Sequence, residues 1–157
     1  MQDIVIRRLD AADPHLDEVA GWTFEAWGHL SPARTRQSWR EDFAADCGIA
    51  GVPSVFVAER AGIQAGTASL VVDDMSIRPD LTPWLASVYV IEEQRSQGIA
   101  SALVRRVEEE AQNCGIATFY LYTPDQQALY RRLGWLDVEE VDYRGERVTI
   151  MRRQLSP

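Results

Sequence analysis

The sequence predicts a single α/β domain over residues 1–157: a mixed, mostly antiparallel sheet of about seven strands, with about four helices shared between its faces. Three observations carry this. Apolar strand-like runs and amphipathic helical segments follow one another in the order β-α-α-β-β-β-α-β-α-β-β. Turns at Arg60-Ala61-Gly62 and Arg144-Gly145-Glu146 join neighbouring strand runs as hairpins. From Trp84 to Tyr122 a strand, a glycine loop, a charged amphipathic helix and another strand run consecutively, the pattern of a right-handed crossover. With 46% hydrophobic and 25% charged residues, the chain can form one core without metal or disulfide staples.

Ile4–Leu9 reads as the first strand. Asp13-Pro14 opens a helix, because proline's fixed φ suits a first helical position. Leu16, Val19, Ala20, Thr23, Phe24 and Trp27 share one side of it. Ser31-Pro32 repeats the signal for a second helix, which turns Trp39 and Phe43 inward and stops at the Gly48–Pro53 breaker. Ser54–Glu59 and Gly66–Val72 form a hairpin. A loop from Asp73 to Pro83 leads to the central strand Trp84–Val90, whose nearly continuous apolar character predicts burial on both faces. The next helix runs from about Ser101 to Asn113, burying Leu103, Val104, Val107 and Ala111 and capped by Gly115. Ala117–Tyr122 is a strand and Pro124–Leu133 a short helix closed by Gly134. Asp137–Tyr143 and Arg147–Arg153 form a last hairpin.

Composition narrows the function classes. A formal charge of −8 argues against nucleic acid or an anionic membrane as the main partner. It suits a cationic small-molecule amine, although acidity also serves solubility alone. No apolar run approaches a membrane span, and Met1-Gln2-Asp3 lacks the pattern of a leader, so a cytoplasmic location is expected. Cys47 and Cys114 lack paired ligand spacing and read as reduced thiols. His15 and His29 are expected at the surface, and no metal is predicted. Besides the substrate, a homodimer is left open as a partner.

The stretch 88–100, VYVIEEQRSQGIA, is the most informative. The strand ends at Val90, crosses a polar turn and enters Arg95-x-x-Gly98-x-Ala100 ahead of the helix. A glycine loop backed by a helix gathers unpaired N–H groups at the positive end of the helix dipole, which attracts phosphate. Gly98 tolerates a positive φ and has no Cβ to block a ligand, and Ala100 is also small. Main-chain N–H groups of Ser96, Gln97, Gly98, Ile99, Ala100 and Ser101 are therefore expected to take a cofactor's pyrophosphate, with Arg95 adding charge. Glu92 and Glu93, anions beside this loop, are expected to face solvent or an amine site.

A second motif follows at 128–135, Ala-Leu-Tyr-Arg-Arg-Leu-Gly-Trp, a short helix ending on glycine. With the loop and its flanking strand and helix, it makes the chain resemble the GNAT acetyltransferase superfamily over roughly Ile4 to Leu155. The resemblance implies an N-acetyltransferase that moves an acetyl group from acetyl-CoA, its co-substrate, directly to an amine. It implies that the central strand splays from Ala117–Tyr122, so that Val88, Tyr89 and Val90 pair with the pantetheine arm as an added strand would. The alternative is that Val88–Val90 is only core. A strand amide near Val90 would hold the oxyanion, and Tyr130 would protonate the leaving thiolate. Tyr130 also reads as a buried ring whose hydroxyl finds any acceptor, with Leu129 and Leu133 the expected core contacts.

Two family features do not carry over. An asparagine often precedes this helix, where the chain reads Thr123-Pro124-Asp125-Gln126. The strand glutamate of the histone-acetylating branch falls at Trp84, which cannot accept a proton. The general base is left among Glu25, Asp73, Asp74, Glu92 and a water relay. Trp22, Trp27 and Trp39 fall where the family walls its acceptor pocket, and aromatic rings beside acids suit a cationic amine. A small primary amine is the expected acceptor, ahead of a protein lysine or N-terminus. A non-catalytic CoA-binding module is the other functional class, and a structural protein with an empty glycine loop the third.

Overall fold

The computed structural model describes residues 3–155; Met1 and Gln2, read above for the lack of a leader, lie outside the described residues. In chain order the elements are β1 (Ile4–Arg8), α1 (Leu16–Trp27), α2 (Arg36–Ala45), β2 (Ser54–Arg60), β3 (Ile63–Val71), β4 (Trp84–Val90), α3 (Ile99–Asn113), β5 (Thr118–Thr123), α4 (Gln127–Arg132), β6 (Leu136–Tyr143) and β7 (Glu146–Gln154). One sheet runs β1-β2-β3-β4-β5-β7-β6, antiparallel throughout except for β4 against β5. Among the described residues, seven strands and four α-helices match the expected architecture.

Strand alternation divides the core. Along β2, Val55 and Val57 pack with Leu16, Val19 and Phe43 of α1 and α2, while Phe56 and Ala58 pack with Ile99, Leu103 and Val107 of α3. The helices therefore cover both faces, because successive side chains of a strand point to opposite sides. Phe56, Phe119 and Leu103 are fully buried, each worth about 1.5–3 kcal/mol in transfer terms. Cys47 and Cys114 are free thiols, and no helix among the described residues is long and apolar enough to cross a membrane.

Two features of β4 position the site. β4 pairs with β5 only at Trp84↔Tyr120, beside a Tyr120 N–H to Pro83 carbonyl bond of 3.1 Å, and beyond that pair the strands part. Against β3, Ala86 faces Ser69 and Tyr89 faces Thr67, so Ser87 and Val88 together oppose Ala68. That two-to-one step is a β-bulge, with Ser87 held at φ 56.

The structure corrects several sequence expectations. β4 is buried from Trp84 to Ala86 but only half-buried from Ser87 to Tyr89, because β5 has diverged. α2 is capped by Thr35, whose hydroxyl accepts from the Ser38 N–H while the Ser38 hydroxyl accepts from Thr35, both at 3.0 Å. Ser31 instead closes the 3-10 turn Gly28–Leu30. α3 begins at Ile99, two residues before the expected Ser101, because Gly98 itself serves as the cap. Pro124 to Gln126 form a turn rather than helix, held by Thr123 Oγ1 accepting the Gln126 N–H at 3.0 Å. β3 starts at Ile63, since Ala61 and Gly62 alone make the hairpin turn at φ 53 and 76.

Candidate active site

Where β4 and β5 part, a cleft of about 910 Å³ opens. Ser87 and Val88 of β4 form one side, and the chain from Leu121 to Gln126 forms another together with Tyr130. The rest of the lining mixes aromatic residues (Trp27, Trp39, Phe43, Tyr143) and acids (Asp46, Asp73, Asp74, Glu146) with the basic Arg34 and Arg144. Tyr122 connects the two parts, its ring 5.4 Å from Tyr143 and 6.1 Å from Trp84.

At the end of β4 lies the loop expected to take phosphate. Ser96 and Gly98 both lie in the left-handed region, at φ 62 and 85. Gly98 is exposed, and a Cβ built there would meet nothing within 4 Å. Ile99, 1% exposed, anchors the start of α3 in the core. The first intrahelical bond runs from Ala102 N–H to Gly98 O at 3.0 Å. The N–H groups of Ile99, Ala100 and Ser101 therefore point out of the helix without intrahelical acceptors. Arg95 behaves differently from its sequence expectation. Its Nε donates to the Val90 carbonyl at 2.8 Å and its guanidinium lies over the Tyr89 ring, 5.5 Å from the ring centre.

 The side chain thus ties the loop back onto β4 instead of reaching outward. Tyr89 in turn stacks on Trp22 at 6.0 Å and meets Trp27 edge-on at 6.1 Å.

Tyr130 is 6% exposed and lines the cleft. Its ring belongs to the core, edge-on to Trp135 at 6.1 Å, and Leu129 and Leu133 only flank that core. The two leucines pack against the core as expected, and the tyrosine ring is buried in it beside them. Among the described residues its hydroxyl has no hydrogen-bond partner. Burial, with Asp125 adding, holds the phenol above its ordinary pKa, so it stays a proton donor at neutral pH.

The four carboxylates read as candidate bases separate cleanly. Glu25 is exposed, paired with Arg36 at 3.4 Å, and does not line the cleft. Glu92 sits exposed on the 3-10 turn Glu92–Gln94, also away from it. Asp73 and Asp74 both line it, Asp73 exposed and Asp74 half-buried. Burial pushes the Asp74 carboxyl up to about 8; Arg144 opposes this and Asp46 adds to it. Asp74 is thus the candidate whose proton affinity suits a base near neutral pH.

A model of the Acetyltransferase (GNAT) family matches residues 16–135. The chain belongs to the GNAT acetyltransferase family. Solved structures agree with it in fold. The acetyltransferase of the GNAT family from Streptococcus pneumoniae superposes with a TM-score of 0.73 at 15% identity, covering 98% of this chain and 100% of that one. Aminoglycoside 6'-acetyltransferase type Ii gives 0.74 at 18% identity, with 98% of each chain covered. A protein from Salmonella typhimurium, solved with its cofactor acetyl-CoA, gives 0.66 at 22% identity over 99% of this chain and 95% of its own. A search of curated protein sequences finds no match.

In this GNAT acetyltransferase the cleft gathers Val88, Tyr130, Asp73, Asp74, Trp27 and Trp39 from the sequence reading. Tyr89, Val90 and Trp22 stand outside its lining; Trp22 is drawn off by its stack on Tyr89. His29 is exposed as expected but stands on the cleft rim. Sequence reasoning missed Asp46, Tyr143 and Arg144. Asp46 follows α2 with no motif around it, and the β6–β7 turn reaches the cleft only through the tertiary fold. Among the described residues no group of three or more His, Cys, Asp or Glu is arranged to hold a metal ion.

Proposed function

We propose that this enzyme is an N-acetyltransferase that moves acetyl from acetyl-CoA directly to a small primary amine, with Asp74 as general base and Tyr130 as general acid. The observation that carries this reading is one cleft lined by both side chains, the first with a pKa of about 8 and the second buried with its hydroxyl unpartnered. The chain's own groups suit acetyl-CoA. Free N–H groups at the start of α3 and the open position at Gly98 fit a pyrophosphate. The edge of β4 that β5 leaves unpaired fits an amide-bearing arm.

When bound, acetyl-CoA supplies the acetyl group as an activated thioester. Asp74 takes one proton from the incoming ammonium, freeing the nitrogen lone pair to bond the carbonyl carbon. A backbone amide of β4 stabilises the charge that develops on the carbonyl oxygen. Val88, on the bulge and in the cleft lining, is better sited for this than Val90. As the C–S bond breaks, Tyr130 gives its proton to sulfur and recovers one from the new amide nitrogen. Asp74 releases its proton to solvent, so each turnover yields amide, thiol and one proton.

A panel of small amines and of lysine and N-terminal peptides, followed by free-thiol release, tests the reading. Higher kcat/KM for small amines is expected. Consistently higher values for peptides would overturn the small-molecule assignment, and no thiol release with any acceptor would leave a non-catalytic CoA-binding module as the better account.

A further inference from the structure

Two arginines tie down the loop between β4 and α3, and only one of them belongs to it. Arg95 fastens the near side to β4 through the Val90 carbonyl. The far side is held by Arg60, the last residue of β2. Phe56 and Ala58 pack in the core with α3, and alternation along the strand puts Arg60 on that same face. From there its Nη1 donates to Oε1 of Gln97. Glu59, on the opposite face of β2, is already taken by Arg7 at 2.6 Å. Among the described residues Arg60 makes no ion pair, and its buried Nε has no hydrogen-bond partner. The bond to Gln97 is therefore the polar contact that fixes this guanidinium.

Gln97 lies between Ser96 and Gly98, at φ 62 and 85. A serine in the left-handed region is disfavoured and persists only where its surroundings hold it. The exposed Gln97 side chain bridges two parts of the chain: Oε1 accepts from Arg60, and Nε2 donates to the Glu93 carbonyl at 3.5 Å. Main-chain N–H groups bind an anion best when they already converge, because ordering a loop during binding subtracts from affinity. Fixing Gln97 fixes the peptide groups on either side of it.

We propose that Arg60 is a positioning residue for acetyl-CoA: acting through Gln97, it holds the Ser96–Gly98 backbone in the shape that receives the pyrophosphate. This rests on the reading of acetyl-CoA as co-substrate. The Arg95-x-x-Gly98-x-Ala100 pattern does not contain the residue, which stands 37 positions before Gln97 and arrives through the pairing of β2 with the rest of the sheet.

Calorimetry with three acetyl donors tests it: acetyl-CoA, acetyl-dephospho-CoA, which keeps the pyrophosphate alone, and S-acetylpantetheine, which has no phosphate. Arg60→Met keeps the apolar stem and removes the donors. It should raise Kd about tenfold for both pyrophosphate donors and leave S-acetylpantetheine unchanged, with the melting temperature of the free enzyme near wild type. Gln97→Ala, at an exposed position, should do the same, and the double variant should be no worse than either single one, since both remove one tie. Arg60→Lys, which keeps a donor, should recover part of the loss. Arg40→Met, an equal loss of charge on α2 at a residue paired with Asp17, should leave all three affinities alone. Unchanged acetyl-CoA affinity in both Arg60→Met and Gln97→Ala overturns the proposal. So does an equal loss for S-acetylpantetheine, which would mean general packing, or a loss confined to acetyl-CoA, which would mean a contact with its 3′-phosphate. Additive losses in the double variant overturn the route through Gln97. If Arg60→Met fails to fold, Gln97→Ala decides the matter on the same three donors. Wild-type enzyme that binds none of them overturns the co-substrate reading itself, and the role of Arg60 falls with it.

Discussion

Asp74→Asn removes the one cleft carboxylate whose proton affinity suits a base. With a pKa of about 8, about a tenth of Asp74 is ionised at pH 7 and about nine-tenths at pH 9. Only the ionised form accepts a proton, so kcat/KM should climb about tenfold across that interval. Asparagine fills nearly the same space but accepts no proton, and losing a general base costs about 10²–10⁴ in rate. The step near pH 8 should vanish with it, while any rise from the substrate's own ammonium remains. Stability should respond in the opposite sense. The folded Asp74 pKa lies above its ordinary 3.8, so between these values the folded state holds the extra proton and stability falls as pH rises. Asp74→Asn should therefore melt near wild type at low pH and above it at pH about 9. Initial rates of thiol release across pH and paired thermal melts make the assay. An unchanged pH profile with wild-type activity in Asp74→Asn would refute the assignment.

Three further perturbations separate roles. Tyr130→Phe keeps the buried ring beside Trp135, so kcat should fall about a hundredfold or more while acetyl-CoA affinity and melting temperature stay close to wild type; equal damage to kcat and affinity would indicate packing. Gly98→Glu should abolish acetyl-CoA binding in calorimetry, since it puts an anion where the N–H groups converge and a side chain at φ 85. The folded core should survive it, because the position opens to free space. Glu110→Ala leaves the Gly51 N–H without its acceptor and strips Arg8 and Arg106 of their shared carboxylate, Ser54 and Glu109 remaining to them, and urea unfolding should show a loss of about 3 kcal/mol. Burial pushes Glu110 up, but the Gly51 N–H, Arg8 and Arg106 together hold it below its ordinary range; its contribution should disappear as pH falls through the carboxylate range.

What could be read from sequence was what short-range chemistry decides. Ala61-Gly62 and Arg144-Gly145 mark tight hairpins because both residues of each pair adopt positive φ. Gly98 between a strand and an amphipathic helix marks the loop, and Ala-Leu-Tyr-x-x-Leu-Gly marks the helix that presents Tyr130. What escaped was decided by competition or by distance. Ser31-Pro32 and Thr35 both offer cap chemistry, and the reciprocal Thr35–Ser38 pair prevails. The bulge at Ser87 has no glycine to announce it, since a serine holds the positive φ. In the sequence Arg95 offers a free charge to the loop, yet the Val90 carbonyl and the Tyr89 ring draw it back onto β4. Asp46 and Asp74 lie far apart in sequence and become neighbours in one cleft only after α2 and the loop behind β3 have packed.

Titration of the enzyme with acetyl-CoA in a calorimeter, paired with thermal melts, tests the central claim most directly. The account predicts saturable binding at a single site and a melting temperature that rises with ligand, by about 2.7 kcal/mol of added stability at a hundredfold excess over Kd. Gly98→Glu should lose both signals. Neither heat nor stabilisation at millimolar acetyl-CoA would contradict the account, because a ligand that binds the folded cleft must stabilise it.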